Sequence, residues 1–210
     1  MIDAYVSPYS PLPRTVHAPR GLFVDRWGTL LAPPPAGFAR DPGEVEFYPG
    51  AREALRAARR AGWLVYLLGN EEAVARGEVA EADWERVEAA IRDGLSQAGV
   101  EVQRLYACLD HPAGVPGRTS DSVYLLPNTG AFYHAFHNDG TELRRSWAIG
   151  DSTLELVAGW RAGCKIAAVE TGLALSDRTF HIEPEIQAAT LADVLARLLA
   201  VEAPIYRRVG

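Results

Sequence analysis

The sequence predicts an α/β fold with a mostly parallel sheet and helices on both faces. Short apolar runs alternate along the chain with amphipathic helical segments, the pattern of strand–helix–strand units. The run Trp63 to Leu68 (WLVYLL) is apolar throughout, as expected of a central strand covered on both faces. Two further apolar runs end in single carboxylates, Asp25 and Asp151. Both acids are therefore expected at the carboxyl edge of one sheet, where open α/β proteins bind ligands.

The individual elements follow from local patterns. Apolar runs predict strands at 21–24, 63–68, 100–107, 146–149 and 165–169, and helical periodicity predicts helices at 50–61, 80–98, 128–138 and 154–162. A last helix begins at Thr190, where Asp193 completes a variant of the capping box. The segment 30–43 is rich in proline and glycine and is too short to form an inserted cap domain.

A chain of 210 residues suits one domain with a substantial core. Residues 1–20 contain four prolines and no helical or alternating period, which predicts an extended N-terminal arm. Residues 21–210 are predicted to form a single α/β domain.

The composition of the chain argues against some classes of binding partner and favours one cellular compartment. The net charge of -6 argues against a nucleic acid or an anionic membrane as the main partner, and no apolar run is long enough to span a bilayer. Two cysteines and the absence of a signal-peptide pattern favour a cytoplasmic location. Lys165 is the only lysine, so chemistry that requires a lysine must use it.

The two strand-ending carboxylates indicate a metal site. Mg²⁺ binds through one or two carboxylates together with the phosphate of a ligand. Asp25 and Asp151 therefore predict an oxygen-rich Mg²⁺ site, and a Gly-Thr turn follows closely after Asp25.

Seven short segments between Gly21 and Leu199 match, in order, the motifs of one phosphatase family. They are Asp25-Arg26-Trp27-Gly28 (family D-R-D-G), Leu68-Gly69-Asn70-Glu71 (T-N-Q), Val74-Ala75-Arg76-Gly77 (I-A-R-G), Cys108-Leu109-Asp110-His111-Pro112 (C-P-H-H-P), Pro127-Asn128-Thr129-Gly130 (K-P-x-P-G), Gly150-Asp151-Ser152-Thr153-Leu154-Glu155 (G-D-K-x-x-D) and Val169-Glu170-Thr171-Gly172 (V-R-T-G). In these segments the chain resembles the small-capped haloacid dehalogenase (HAD) phosphatases that act on heptose 1,7-bisphosphate or histidinol phosphate. The resemblance implies a three-layer, Rossmann-like HAD fold without a large cap domain.

The resemblance also implies a chemistry. In this family a first aspartate attacks phosphorus, and a second aspartate two residues on acts as general acid and then as base. It implies that Asp25 is the nucleophile and that Mg²⁺ is held by Asp25, Asp151 and the backbone carbonyl of Trp27, with Glu155 as a further acid near the ion. The substrate contacts that it implies are Arg26, Gly69, Asn70 and Arg76.

Three catalytic positions of the family pattern are changed. Trp27 stands where the acid/base belongs, Gly69 where a hydroxyl binds phosphate, and Leu126 where a lysine does. Loss of a general acid costs about 10² to 10⁴ in rate, and loss of an oxyanion donor on the order of 10² to 10³. The leading hypothesis is an impaired or inactive HAD-like phosphatase homologue that binds a small phosphorylated molecule or a protein partner.

The zinc loop of the family is also incomplete. Cys108 is kept, but Asp110 stands at the position of a histidine ligand, and Ser122 and Tyr124 stand where cysteines are found. A structural zinc ion requires four nitrogen or sulfur ligands, so we expect none.

Two alternatives remain open at this point. One is an active phosphatase that hydrolyses a small sugar phosphate or a histidinol-phosphate-like monoester through an aspartyl-phosphate, with arginine in place of lysine. The other is a dehalogenase-type hydrolase, because the segment from Asp25 to Leu30 also resembles the D-x-Y-G-T-L motif of haloacid dehalogenases. In that chemistry the aspartate attacks carbon and needs no Mg²⁺.

Overall fold

The computed structural model describes residues 18–202, and its centre is a six-stranded sheet. The strands are β1 (Arg20–Asp25), β2 (Trp63–Asn70), β3 (Arg104–Cys108), β4 (Trp147–Gly150), β5 (Lys165–Val169) and β6 (Ile186–Ala188). They lie in the order β3-β2-β1-β4-β5-β6, and every neighbouring pair is parallel. The predicted parallel α/β architecture is therefore confirmed.

Helices cover both faces of this sheet. They are α1 (Ala51–Arg60), α2 (Glu72–Ala75), α3 (Glu81–Gln97), α4 (Gly130–Asp139), α5 (Thr153–Arg161) and α6 (Leu191–Val201). Helices α1, α3 and α6 bury Leu55, Ile91 and Leu195 in the core on one face. Helices α4 and α5 bury Phe132 and Leu156 in a separate core on the other face, which gives the predicted three layers.

Most predicted elements are present, and the differences have local causes. Helix α2 has four residues and β6 has three, which is too short for a helical or strand period to show in the sequence. Strand β3 begins at Arg104, later than predicted. Thr190 caps α6 as expected, since its hydroxyl accepts a hydrogen bond from the Asp193 N–H at 3.2 Å. The segment 30–43 forms turns and the start of a short 3₁₀ helix, Pro42–Glu44.

The predicted N-terminal arm falls mainly outside the described residues, which begin at 18. Strand β1 begins at Arg20, one residue before the predicted start of the α/β domain. Within residues 18–202, no helix is both long enough and apolar enough to cross a membrane.

The strand order places the chemistry-bearing residues at one edge. β1 lies between β2 and β4, in a register that pairs Asp25 with Leu68 and Val24 with Ile149. The carboxyl ends of the three strands therefore bring Asp25, Asn70 and Asp151 together. Lys165 opens β5 at the opposite edge, where it forms an ion pair with Glu202. The only lysine is thus placed away from Asp25.

Candidate active site

A cleft of about 640 Å³ opens at the carboxyl edge of β1, β2 and β4. The strand ends, the turn after β1, helix α2 and the first turn of α5 form its walls. Its carboxylate side chains are Asp25, Glu71, Glu72, Glu78, Asp151 and Glu155.

Three of these carboxylates are buried together at the base of the cleft. Asp25, Asp151 and Glu155 are all less than one-tenth exposed. Burial, followed by the negative charges of Glu155 and Asp151, raises the pKa of Asp25 well above its usual range. Burial likewise raises the pKa of Asp151 and raises the pKa of Glu155 to about 7. The cluster therefore favours a bound cation, which would offset the repulsion between the carboxylates.

Backbone and hydroxyl donors orient two of the three acids. Asp151 accepts hydrogen bonds from the Leu173 N–H at 2.6 Å and from the Thr29 hydroxyl at 3.4 Å. The Ser152 hydroxyl donates to Glu155. For Asp25, the main-chain N–H of Arg26 lowers the pKa of the carboxyl group, but by less than burial and the neighbouring acids raise it.

Two glycines allow the backbone to approach Asp151. A Cβ at Gly28 or at Gly172 would lie only 2.1 Å from Asp151 Oδ2. Both residues also have positive φ, 88° and 61°, a conformation that favours glycine. The glycine after Trp27 is therefore required by the packing of the loops around Asp151.

The Mg²⁺ implied by the family fits the chemistry of these donors. Asp25 and Asp151 offer hard oxygen ligands, and no cationic side chain of residues 18–202 forms an ion pair with either. Asp25, Asp151 and the Trp27 carbonyl would hold the ion, which would supply positive charge toward phosphoryl oxygens. The described residues contain no group of three or more His, Cys, Asp or Glu side chains arranged around a metal position. A complete ligand set would thus include the carbonyl and water.

Trp27, at the family's acid/base position, lines the cleft and is partly exposed. Its indole Nε1–H donates to Glu71 Oε2 at 3.4 Å. An indole is a hydrogen-bond donor only, so it cannot exchange a proton with a leaving group as a carboxyl group does.

The placement of Arg26 corrects the prediction that it contacts substrate. Its side chain is fully buried, Nη2 lies 2.8 Å from Glu71 Oε1, and Nη2 also donates to the Gly69 carbonyl at 3.2 Å. The guanidinium carbon lies 5.2 Å from the ring centroid of Trp84. Arg26 is thus a structural residue that faces the helix α3 side of the sheet.

Asn70 is likewise occupied within the fold. Its amide oxygen accepts from the Leu126 N–H at 2.8 Å, and its amide nitrogen donates to the Leu126 carbonyl at 3.1 Å. These two bonds fix the orientation of the Asn70 amide at the cleft, which leaves one N–H and one oxygen lone pair, and its contact with a substrate stays a prediction. Leu126 itself is buried in the apolar core that includes Phe132, so the family's lysine position points into the core.

Gly69 and Arg76 both line the cleft, as predicted for substrate contacts, but they offer little to a phosphate. Gly69 contributes only main-chain atoms. The Arg76 side chain is about half exposed and pairs with Glu72, its neighbour one helical turn earlier. Substrate contact by Gly69 and by Arg76 stays a prediction.

The sequence analysis assigned no role to three acids on the cleft wall. Glu71, Glu72 and Glu78 follow β2 and face the same space as Asp25. In the sequence, the sign of this acidic wall was Glu71, which stands where the family motif has a neutral glutamine. Burial raises the pKa of Glu71 despite the nearby Arg26 charge.

The residues of the incomplete zinc loop make other contacts. Cys108 Sγ donates to the Asp110 carbonyl at 3.3 Å, and His111 Nδ1 accepts from the Ala113 N–H at 3.0 Å. The Tyr124 ring stacks on Tyr106, with centroids 5.9 Å apart.

Comparison with known proteins identifies the family. A D-glycero-beta-D-manno-heptose-1,7-bisphosphate 7-phosphatase from Mesorhizobium japonicum is 32% identical over 183 residues, which are 87% of this chain and 83% of the relative. The chain belongs to the heptose-bisphosphate phosphatase family of the HAD superfamily. No protein-family model matches it.

Solved structures agree with this HAD assignment. The D,D-heptose 1,7-bisphosphate phosphatase from B. bronchiseptica, complexed with magnesium and phosphate, superposes with a TM-score of 0.76 at 25% identity, covering 87% of this chain and 99% of that one. A putative HAD-like phosphatase from Mesorhizobium loti gives 0.73 at 27% identity, covering 88% of both chains. The resemblance inferred from the seven motifs is therefore confirmed.

Proposed function

We propose that this HAD-family chain is a catalytically impaired phosphatase homologue that acts by binding a ligand or a protein partner. The observation that supports this most is the charge of the cleft. Among the described residues that line it, Arg76 is the only cationic side chain, it is paired with Glu72, and six carboxylates face the same space. Phosphoryl transfer needs positive charge and hydrogen-bond donors around the phosphoryl oxygens, and Mg²⁺ alone would offset only part of this negative charge.

The proton donor is the second missing part. Trp27 stands at the acid/base position, and its indole N–H, which cannot exchange a proton with a leaving group, is directed at Glu71. Because catalytic groups act as a unit, the rate losses from removing several of them do not add simply.

Mg²⁺ binding and a cytoplasmic location are part of the proposal. Both cysteines are free and buried, which suits a reducing compartment.

The test is a phosphatase panel in the presence of Mg²⁺. It includes heptose 1,7-bisphosphate and histidinol phosphate and compares the wild-type chain with Asp25→Asn and with Glu53→Gln, an exposed control on α1. We expect the same background turnover from all three. Turnover in wild type and Glu53→Gln that disappears in Asp25→Asn would contradict the proposal.

One observation favours a second candidate, an active phosphatase on a sugar bisphosphate. Asp25 and Asp151 are both retained in one cleft, and the Mesorhizobium japonicum relative is named as a heptose-1,7-bisphosphate 7-phosphatase. The same panel decides between the two candidates. Halide release from 2-haloacids, included as a further assay, would instead support the dehalogenase alternative.

A further inference from the structure

Among residues 18–202, the non-glycine residues with positive φ all lie in the loop that follows β5. They are Ala174, Leu175 and Arg178, with φ values of 47°, 61° and 45°. This left-handed region is unfavourable for a residue that carries a Cβ, and none of the three is the asparagine or aspartate that tolerates it best. Such residues persist only where the surrounding contacts fix them, and they cluster at functional sites. Specific contacts must therefore hold the loop 172–178 in this shape.

One anchor of the loop is Asp151. The Leu173 N–H donates to Asp151 Oδ2 at 2.6 Å, and the Leu175 N–H donates to the Asp151 main-chain carbonyl at 2.7 Å. Gly172 permits this approach, because a Cβ there would lie 2.1 Å from the same carboxylate oxygen. The other carboxylate oxygen accepts from the Thr29 hydroxyl. The shape of the loop therefore contributes directly to the direction in which the Asp151 carboxylate points.

The second anchor is Asp177, near the far end of the loop. Its two carboxylate oxygens lie 3.0 Å and 3.1 Å from the Thr153 main-chain nitrogen, and the carboxylate also accepts from the Thr153 hydroxyl. That hydroxyl accepts in turn from the Phe180 N–H at 3.2 Å. Thr153 is buried and is the first residue of α5, two positions after Asp151. Asp177 therefore ties the loop to the start of the helix that follows Asp151.

We propose that Asp177 is a positioning residue for the metal site. Neither Asp177 nor Thr153 is among the described residues that line the cleft, so Asp177 acts through the loop. By holding the loop against α5, it keeps the Leu173 N–H on Asp151 and so orients that carboxylate for Mg²⁺. Outer partners that orient metal ligands typically change metal affinity by about 10- to 100-fold. The inference rests on the Mg²⁺ binding that is part of the proposed function, and it adds a residue that lies outside the seven motifs.

The test combines amide exchange, measured by NMR, with calorimetric titration of the full chain with Mg²⁺. In metal-free buffer, Asp177→Asn should exchange the Leu173 and Leu175 amides about tenfold faster than wild type, because the loop opens more often. The same variant should raise the Kd for Mg²⁺ about tenfold. Asp193→Asn is the matched control, since Asp193 accepts from the Thr190 hydroxyl at the start of α6. It should change neither quantity.

Asp177→Asn also removes a negative charge, so a second variant separates charge from contact. Thr153→Val keeps every charge and the shape of the side chain but loses the hydroxyl that donates to Asp177. It should raise both the exchange rates and the Kd for Mg²⁺ by about threefold, as expected for one lost hydrogen bond. Thr153→Ser retains the hydroxyl and should give wild-type values. Thermal melts verify that each variant is folded at the temperature of measurement.

The inference is overturned if Asp177→Asn leaves the exchange of both amides unchanged, or if exchange accelerates while the affinity for Mg²⁺ stays the same. Binding of Mg²⁺ by Thr153→Val as tightly as by wild type would also overturn it, because charge alone would then explain Asp177→Asn. A wild-type chain that does not bind Mg²⁺ would contradict both this inference and the metal part of the proposed function. Tight wild-type binding that neither variant weakens would contradict only the role of Asp177.

Discussion

The guanidinium of Arg26 occupies the space beside Gly69 that a side chain would need. Arg26 Nη2 lies 2.9 Å from the position of a Cβ built on Gly69, which is closer than real Cβ contacts allow. The arginine has little room to retreat, because it is fully buried and pairs with Glu71 at 2.8 Å. The absent hydroxyl at position 69 and the buried ion pair are therefore two parts of one packing arrangement.

Gly69→Thr should consequently destabilise the protein. The added side chain must displace a pinned guanidinium, and overpacking of this kind costs about 1–3 kcal/mol of unfolding free energy. Urea denaturation of wild type and variant measures the loss. In an Arg26→Met, Glu71→Gln background the same substitution should cost less, since the obstructing group is gone. An equal cost in both backgrounds would show that Arg26 is not the obstacle.

Leu126→Lys should fail to return an ammonium group to the cleft and should destabilise the chain instead. Leu126 is 5% exposed and packs in the core with Phe132, so a lysine there would be buried without a partner. Burial favours the neutral amine, so the variant should regain stability as the pH rises above neutrality. Denaturant midpoints at several pH values measure this, with Leu126→Met as the neutral, length-matched control. A fully stable Leu126→Lys with no pH dependence beyond that of Leu126→Met would refute the placement.

Glu155 should make the protein less stable as the pH rises. Burial raises its pKa in the folded state to about 7 from an ordinary value of 4.5. Between these values the folded state binds more protons than the unfolded state. The unfolding free energy is therefore highest, as far as Glu155 is concerned, below about pH 4.5. It falls by on the order of 3 kcal/mol by pH 7, because the folded state resists losing this proton. Unfolding free energies of wild type and Glu155→Gln across this range measure the difference.

Glu155→Gln should flatten that decline without removing it, because Asp25 and Asp151 also have raised pKa values and act in the same direction. Glu53→Gln, an exposed control, should retain the wild-type slope. Identical slopes for wild type and Glu155→Gln would mean that Glu155 titrates normally in the folded protein.

Mg²⁺ should raise the melting temperature if Asp25 and Asp151 hold it. An ion that binds only the folded state stabilises that state in proportion to its occupancy, and here it would also offset carboxylate repulsion. Differential scanning fluorimetry with Mg²⁺ and then EDTA measures the shift, which should be reversible. Asp151→Asn should remove most of the shift, and Glu53→Gln should keep it. A shift of the same size in Asp151→Asn would place the ion at another site.

Local sequence patterns were sufficient to predict the layered α/β fold and the sheet edge at which Asp25 and Asp151 meet. Apolar runs must be buried, helical periods must face a core, and the ends of parallel strands share one edge. These rules need only local pattern, which is why β1, β2, β4 and β5 were predicted close to their observed bounds. The shortest elements, α2 and β6, lack a pattern long enough to detect.

Long-range packing determines which polar side chains are available to a ligand. Arg26 is paired with Glu71, 45 residues away, and Asn70 is used by Leu126, 56 residues away. Such partners are set by how strands and loops pack together, and no local period encodes them. The same packing placed Lys165 at the far edge of the sheet and added three glutamates to the cleft. The sequence located the site, whereas its charge and its free groups followed from long-range contacts.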